Sequence, residues 1–298
     1  MDAAASGRVD KGKRRLHERK NKTGNWLLNA VYPRRCPICD GLLSREELYL
    51  CRNCVEKIHP ILGARCKKCG KPVGSEEEFC RDCSRTRHSF DRGFAPYGYH
   101  GELEASLMRF KYHERQEYAG FYAHAAFFYV GKQIQRRNPE VLVPVPLHPA
   151  RQRQRGYNQA EVFAEKLAEE MELPMNARLI RRVKKTKRQK ELGPAERRKN
   201  LEGAFALAKP GQMKYCRILL VDDIYTTGST VDAIASLLKV NGAEQVDFVC
   251  AAIVKIVCEY FENSFPISET YGKNKHNLER EEETKRHVGR KKDSSDDK

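Results

Sequence analysis

The sequence predicts an α/β fold, a parallel sheet with flanking helices, preceded by a small four-cysteine zinc-ribbon module. Three observations carry this. Residues 217–221 (RILLV) form an apolar run of strand length that passes through a polar turn into apolar positions at helical spacing. Residues 141–149 (VLVPVPLHP) lead in the same way into a second helical pattern, and parallel strands need such crossovers between them. Eight of the eleven cysteines fall into four CxxC pairs ahead of both segments.

A chain of 298 residues has room for about two domains. Its formal charge of +16 is unevenly spread. Residues 1–35 carry ten Lys/Arg against three Asp/Glu, and residues 178–200 carry eleven against two. Those two excesses equal the whole net charge, so the basic character belongs to two short segments suited to phosphate and not to a uniformly cationic surface. The N-terminal stretch has charge but no apolar run behind it, so no export signal is expected and a cytoplasmic location is. Residues 1–34 read as a basic leader, either a disordered solvated arm or a nucleic-acid arm.

Residues 35–88 hold the cysteine pairs: Cys36 and Cys39, Cys51 and Cys54, Cys66 and Cys69, Cys80 and Cys83. A CxxC knuckle brings two thiolates to one tetrahedral ion, and two knuckles complete a closed, structural Zn2+ site. Gly41 and Gly70 supply the backbone freedom such a tight turn favours. The spacings permit sequential ribbons or an interleaved arrangement, with one or two ions; the sequential pairing is favoured. Cys216, Cys250 and Cys258 lie in or beside apolar runs and read as core or incidental thiols.

The α/β domain is expected over 89–257. Residues 119–130 are apolar but interrupted by His124 and too short to span a bilayer, so they predict a buried amphipathic helix and no membrane insertion. After the proline-rich strand end at 144–149, Arg151, Arg153 and Arg155 form a loop suited to a pyrophosphate, with Gly156 and Asn158 as turn and cap before the next helix. His100, His113 and His148 read as surface or packing residues. Residues 182–205, basic and broken by Gly193-Pro194, read as a mobile lid whose cations, Lys187, Arg188 and Arg197 among them, close over a polyphosphate.

The run 221–230 (VDDIYTTGST) says most about function. Asp222 and Asp223 lie at the carboxyl end of the strand, where open α/β sheets place ligands, and can accept hydrogen bonds from two vicinal ribose hydroxyls. Thr226, Thr227, Gly228, Ser229 and Thr230 then form a turn whose N–H groups and helix N-terminus suit a phosphate. The plainer alternative is an acidic strand end followed by a capped helix. The helix is marked by Val231, Ile234, Leu237, Leu238 and Val240. Neither GxxxxGK[ST] nor GxGxxG is present in this loop. Residues 258–298 form a charged tail of both signs, expected to be disordered.

The 221–230 run resembles the PRPP (5-phosphoribosyl-1-pyrophosphate) loop of type I phosphoribosyltransferases. The resemblance implies that Asp222 and Asp223 contact the ribose hydroxyls and that Thr226 to Thr230 hold the 5′-phosphate. Adding the cysteine module, Phe110-Lys111-Tyr112, Pro144 to His148, Arg155 to Ala160, Thr186/Gln189/Leu192 with Arg197, Asn200 and Gly203 to Phe205, the chain resembles the ComF family over about 36–255. That family joins a zinc-binding module to a type I phosphoribosyltransferase fold and is linked to DNA uptake in natural transformation. The resemblance therefore implies a cytoplasmic protein that binds PRPP or a related sugar phosphate with Mg2+, with single-stranded DNA and DNA-uptake proteins as partners. Tyr97, Tyr99, Phe110, Tyr112 and Tyr157 are candidate stacking rings, Phe110 being the one best read as core. The alternative is a metabolic phosphoribosyltransferase that transfers ribose 5-phosphate from PRPP to a nucleobase or other amine acceptor. Transfer from an activated ribose needs positioned cations and Mg2+ more than a nucleophile. No catalytic residue is assigned.

Overall fold

Long, almost uninterrupted apolar runs dictate the centre of the sheet, because a strand covered on both faces has no solvent side for polar residues. The computed structural model describes residues 33–184, 201, 203–211 and 213–254. In it β6 (Arg217–Tyr225) and β7 (Gln245–Ile253) pair in parallel along their length, from Arg217 opposite Gln245 to Tyr225 opposite Ile253. β3 (Val141–Pro144) flanks β6, also parallel. On the other side, β1 (Gly93–Phe94) and β2 (Tyr97–Gly98) both run along β7, giving the order β1–β7–β6–β3 with β2 continuing β1. Pro96 interrupts that edge, since it has no N–H for the ladder.

Helices cover both faces. α3 (Gly101–Tyr112), α4 (Tyr118–Gln135) and α6 (Gln159–Met171) share one core with Leu142, Leu219, Val221 and Val249. α7 (Ser229–Val240) and the antiparallel pair β4 (Ile180–Arg182) and β5 (Phe205–Leu207) cover the opposite face with Val141, Ile218, Leu220 and Phe248. The expected buried helix over 119–130 is the centre of α4. Val240, counted with the apolar stripe of α7, is 84% exposed at its last turn. No helix among the described residues is long and apolar enough to cross a membrane.

Two local expectations are corrected. The strand does not stop at Val221: β7 continues as a partner, so β6 runs on to Tyr225 and both aspartates lie within its carboxyl-terminal half. The arginines at 151, 153 and 155 are helical. Pro149 at the first helical position pre-sets φ, His148 Nδ1 accepts the Ala150 N–H at 3.2 Å, and Gly156 at φ 79° ends this α5 (Pro149–Arg155). The prolines that read as a strand terminator also start a helix. α6 begins as expected, with Asn158 capping Ala160 N–H at 3.2 Å.

The cysteine module, with α1 (Arg52–Val55) and α2 (Arg81–Arg85), straddles the β1/β2 edge. Cys36, Ile38 and Cys54 of its first half join the α3/α4/α6 core, whereas Cys66 and Cys69 of its second half join the α7 core. Between them the chain satisfies the edge: Gly93 N–H donates to Lys68 O at 2.7 Å, Ile61 N–H to Pro96 O at 2.8 Å, and the Arg65 guanidinium to Ala95 O at 2.6 Å. An edge covered in this way offers no template to another strand. Arg109 donates to Pro37 O and Ile38 O, and Asp40 accepts from Arg115 at 2.9 Å and from the Tyr118 hydroxyl, which seats the first half on α3 and α4.

Gly93 stands where this edge is tightest. A Cβ there would lie 2.2 Å from the Phe248 ring and 2.6 Å from Cys69 O. Gly93→Ala therefore overpacks sheet and module together and is expected to lower stability by about 1–3 kcal/mol, read as a fall in the urea midpoint.

Candidate functional site

Two sets of four thiols are built alike. In the first, Cys36 N–H bonds Gly41 O and Asp40 N–H bonds Cys36 O, both at 2.8 Å; in the second, Cys66 N–H bonds Lys71 O at 2.7 Å and Gly70 N–H bonds Cys66 O at 3.0 Å. The left-handed residue is Gly70 in one knuckle and Asp40 in the other, at φ 79° and 58°. Asp40 thus takes the role expected of Gly41, as a short polar side chain tolerates that region. Cys36, Cys39, Cys51 and Cys54 form one set and Cys66, Cys69, Cys80 and Cys83 the other, with the sulfurs of each within 4.8 Å of one another. The pairing is sequential. Four thiolates about 2.3 Å from one zinc lie about 3.8 Å apart; Cys39 and Cys51 Sγ are 3.7 Å apart, and Cys69 and Cys80 Sγ 3.6 Å. Both sets fit structural Zn2+, and neither leaves a coordination position open.

The second assembly lies at the carboxyl end of β6. Asp222 Oδ1 accepts the Asp223 N–H at 2.9 Å, and Lys111 Nζ, from the end of α3, pairs with Asp223 Oδ1 at 3.1 Å. That pair is largely sheltered, the Lys111 and Asp223 side chains being 17% and 13% exposed. Burial, then the neighbouring Asp223 charge, pushes the Asp222 carboxyl up to about 7, against the opposing pull of Lys111 and Arg182. Arg182, at the end of β4 and 8% exposed, is lowered to about 10, first by burial and then by Arg151, while Asp222 counteracts both. Its guanidinium lies over the Phe205 ring, 5.4 Å from the centroid. Lys111 and Arg182 thus bring two cations from two separate elements to the acidic pair, with Arg151 acting on Arg182 behind them.

Beyond Tyr225 the chain bends through Thr226, Thr227 and Gly228, and α7 begins at Ser229. Gly228 is the N-cap, at φ 79° and with no side-chain cap, so the helix is not capped as the plainer reading expected. A Cβ on Gly228 would also lie 2.5 Å from the Tyr225 hydroxyl. Thr227 Oγ1 and Ser229 Oγ are 2.9 Å apart, and Thr230 is in the first turn. The helix N-terminus is thereby turned toward the same end of the sheet as the carboxylates, an arrangement suited to an anion beside a polyol.

The arginines of α5 divide. Arg151 reaches the site electrostatically through Arg182. Arg153 lines a shallow depression with Pro149, Gln152 and Gly156. Arg155 is spent on structure: it donates to Gln159 Oε1 at 2.9 Å and to the Tyr112 hydroxyl at 3.1 Å, and lies over the Tyr112 ring at 4.8 Å. Lys187, Arg188 and Arg197 lie outside the described residues. Of the candidate stacking rings, Tyr97, Phe110 and Tyr157 are buried in packing, Tyr99 is half-buried, and Tyr112 is 51% exposed.

Sequence reading missed the roles of Lys111 and Arg182. Lys111 is one lysine in a helix far from Asp223 along the chain, and only as part of Phe110-Lys111-Tyr112 did it carry any signal. Arg182 was one cation in a basic run, and its burial depends on the β4–β5 pairing, which no periodicity announces.

Residues 27–84 match the model of the Double zinc ribbon domain, and residues 158–267 that of the Phosphoribosyl transferase domain. Competence protein F of Haemophilus influenzae is 32% identical over 216 residues, covering 71% of this chain and 93% of that protein. DNA utilization protein YhgH of Salmonella typhi is 30% identical over 223 residues, covering 73% and 96%. Competence protein ComFC of Bacillus subtilis is 29% identical over 224 residues, covering 70% and 89%.

Elemental analysis of the purified protein is expected to give two zinc ions per chain, and Cys36→Ser to give one with a lower unfolding temperature, since losing a thiolate opens a closed site. The raised Asp222 carboxyl stabilises the fold below its unfolded value of 3.8, and that contribution is lost as pH rises through about 7. Without ligand, Asp222→Asn should therefore unfold at a higher temperature than the parent at pH 8, with the gap closing toward pH 4. A gap independent of pH in parallel melts would contradict the assignment.

Proposed function

The chain belongs to the ComF family, and on that premise we propose that it is a cytoplasmic protein of DNA uptake whose α/β domain binds PRPP or a related sugar phosphate with Mg2+. The observation that carries the reading is the juxtaposition of Asp222 and Asp223, ringed by Lys111 and Arg182, with the uncapped N-terminus of α7. Each part has its task. The turn from Thr226 to Thr230 receives the 5′-phosphate, whose charge the helix terminus favours. The two carboxylates accept hydrogen bonds from the vicinal ribose hydroxyls. Mg2+ would be held by oxygens of the pyrophosphate and would share with the cationic side chains the task of neutralising its charge.

If the domain transfers the sugar, the bond from C1′ to the pyrophosphate oxygen breaks while one to an acceptor nitrogen forms. The protein then has to stabilise cationic character on the sugar and negative charge on the leaving group. The acidic pair, once a bound cation or polyol has drawn Asp222 into its ionised form, serves the first need and the cations the second. No protein nucleophile is required.

A role with DNA is supported by the name of the DNA utilization protein among the relatives and by the two basic segments, and a single strand as its form by Tyr112. That ring is exposed beside Lys111, with the Arg155 guanidinium against it and its hydroxyl held. A fixed aromatic ring beside cations is what a base needs to stack while its phosphate is held.

Asp222→Ala together with Asp223→Ala is expected to abolish PRPP binding in calorimetry while zinc content stays at the parental value; unchanged affinity would refute the ribose assignment. Labelled single-stranded DNA should bind at low salt and release as salt rises. In the same titration Tyr112→Ala should weaken binding by about 5- to 100-fold, the worth of one stacked base. No binding at low salt would sink the DNA role.

A further inference from the structure

The two zinc ribbons are alike in construction but not in what they touch. The first packs with α3 and α4, on the face of the sheet away from α7. The second meets the phosphate turn from two directions.

From beneath, the contact runs through Tyr225. Its hydroxyl lies where Gly228 would carry a side chain, so the ring forms the floor of the turn. That ring stacks on Phe248 with centroids 4.7 Å apart and meets the edge of Phe90 at 6.1 Å. Over it stands Lys71 Nζ, 5.8 Å from the centroid. Lys71 belongs to the second ribbon, is 4% exposed, and pairs with Asp82 of the same ribbon at 2.6 Å. It follows Gly70 in the knuckle and its carbonyl accepts the Cys66 N–H, so its position is set by the fold around the sulfurs.

From the side, the contact runs through Asp232 in the first turn of α7. Its Oδ1 accepts the Ser89 N–H at 2.7 Å and its Oδ2 lies 2.5 Å from His88 Nδ1. A carboxylate only accepts, so Nδ1 carries the proton. His88 and Ser89 lie just beyond Cys83, and the His88 ring is buried, stacked on Phe90 at 4.7 Å. A free carboxylate in this turn would oppose an incoming phosphate. Here two donors from the end of the ribbon hold it.

We propose that the second ribbon positions the phosphate turn: a filled Cys66/Cys69/Cys80/Cys83 site holds Lys71 against Tyr225 and His88 against Asp232, so that phosphate affinity depends on this metal and not on the one in the first ribbon. His88, Lys71 and Tyr225 are positioning residues and touch no ligand themselves. The inference rests on the reading of residues 226–230 as the phosphate site, and it adds a metal-dependent control of that site.

The test uses the full chain, with hydrogen exchange of the amides of 226–232 and PRPP calorimetry read side by side, and zinc content measured for every variant. His88→Ala and Lys71→Met leave all eight cysteines in place and should retain parental zinc. Both should speed exchange in the turn and weaken PRPP by about tenfold, with His88→Asn, which keeps a donor near the Nδ1 position, restoring most of the affinity. Cys83→Ser should do the same through metal loss, whereas Cys39→Ser in the first ribbon should leave turn exchange and PRPP affinity within about twofold of the parent. Equal effects of the two cysteine variants, or unchanged exchange in His88→Ala, would overturn the proposal. Failure of the parent to bind PRPP would defeat the sugar-phosphate reading instead, and turn exchange alone would then decide whether the ribbon holds the turn.

Discussion

Two adjacent carboxylates partly sunk into a sheet cannot both stay charged without cations close by, and that electrostatic requirement arranges much of this molecule. Lys111 reaches Asp223 from the end of α3, and Arg182 acts on Asp222 from β4. Neither cation is near the pair along the chain. Each needs its own scaffold: α3 is bolted to the α5–α6 junction by the Tyr157 hydroxyl on Phe110 O and by Gln159 on Lys111 O, and β4 is fixed by β5. The helices and the small second sheet are therefore as much a frame for charge as a cover for apolar surface. The raised Asp222 carboxyl shows that the compensation is incomplete, a state that a bound cation or polyol would relieve.

The cysteine module answers a different need. It contributes few large apolar side chains, and a piece of chain this small gains most of its order from metal–thiolate bonds. What it gives back is closure. It satisfies the polar groups of the β1/β2 edge, extends the core on both faces, and sets Arg65 across the gap where Pro96 breaks the edge.

Legibility in the sequence followed the range of the interactions. The strand at 217–221, the helix after Ser229 and the four CxxC pairs are local patterns, and all three were readable. Where a distant partner decides, reading fell short. β6 runs past Val221 because β7 continues beside it, and the arginines after Pro149 are helical because Pro149 and His148 start a helix where prolines had suggested only an end. Phe110 was read as core and is buried, but Tyr97 and Tyr157 could not be separated from Tyr112 by composition, since burial depends on which helix faces which. The roles of Lys111 and Arg182 at the acidic pair went unread for the same reason.

The way the cysteine module grips the sheet also bears on how such a chain can be taken apart. Its two halves belong to different hydrophobic cores and meet at one β edge. A cut just after Cys83 would yield no tidy pair of fragments. The larger piece would keep a bare strand of unpaired N–H and C=O groups flanked by apolar surface on both sides, the kind of surface that recruits a second chain. Ribbon and sheet are thus interlocked parts of one folding unit, and a genetic exchange that swapped one without the other would have to rebuild the seam.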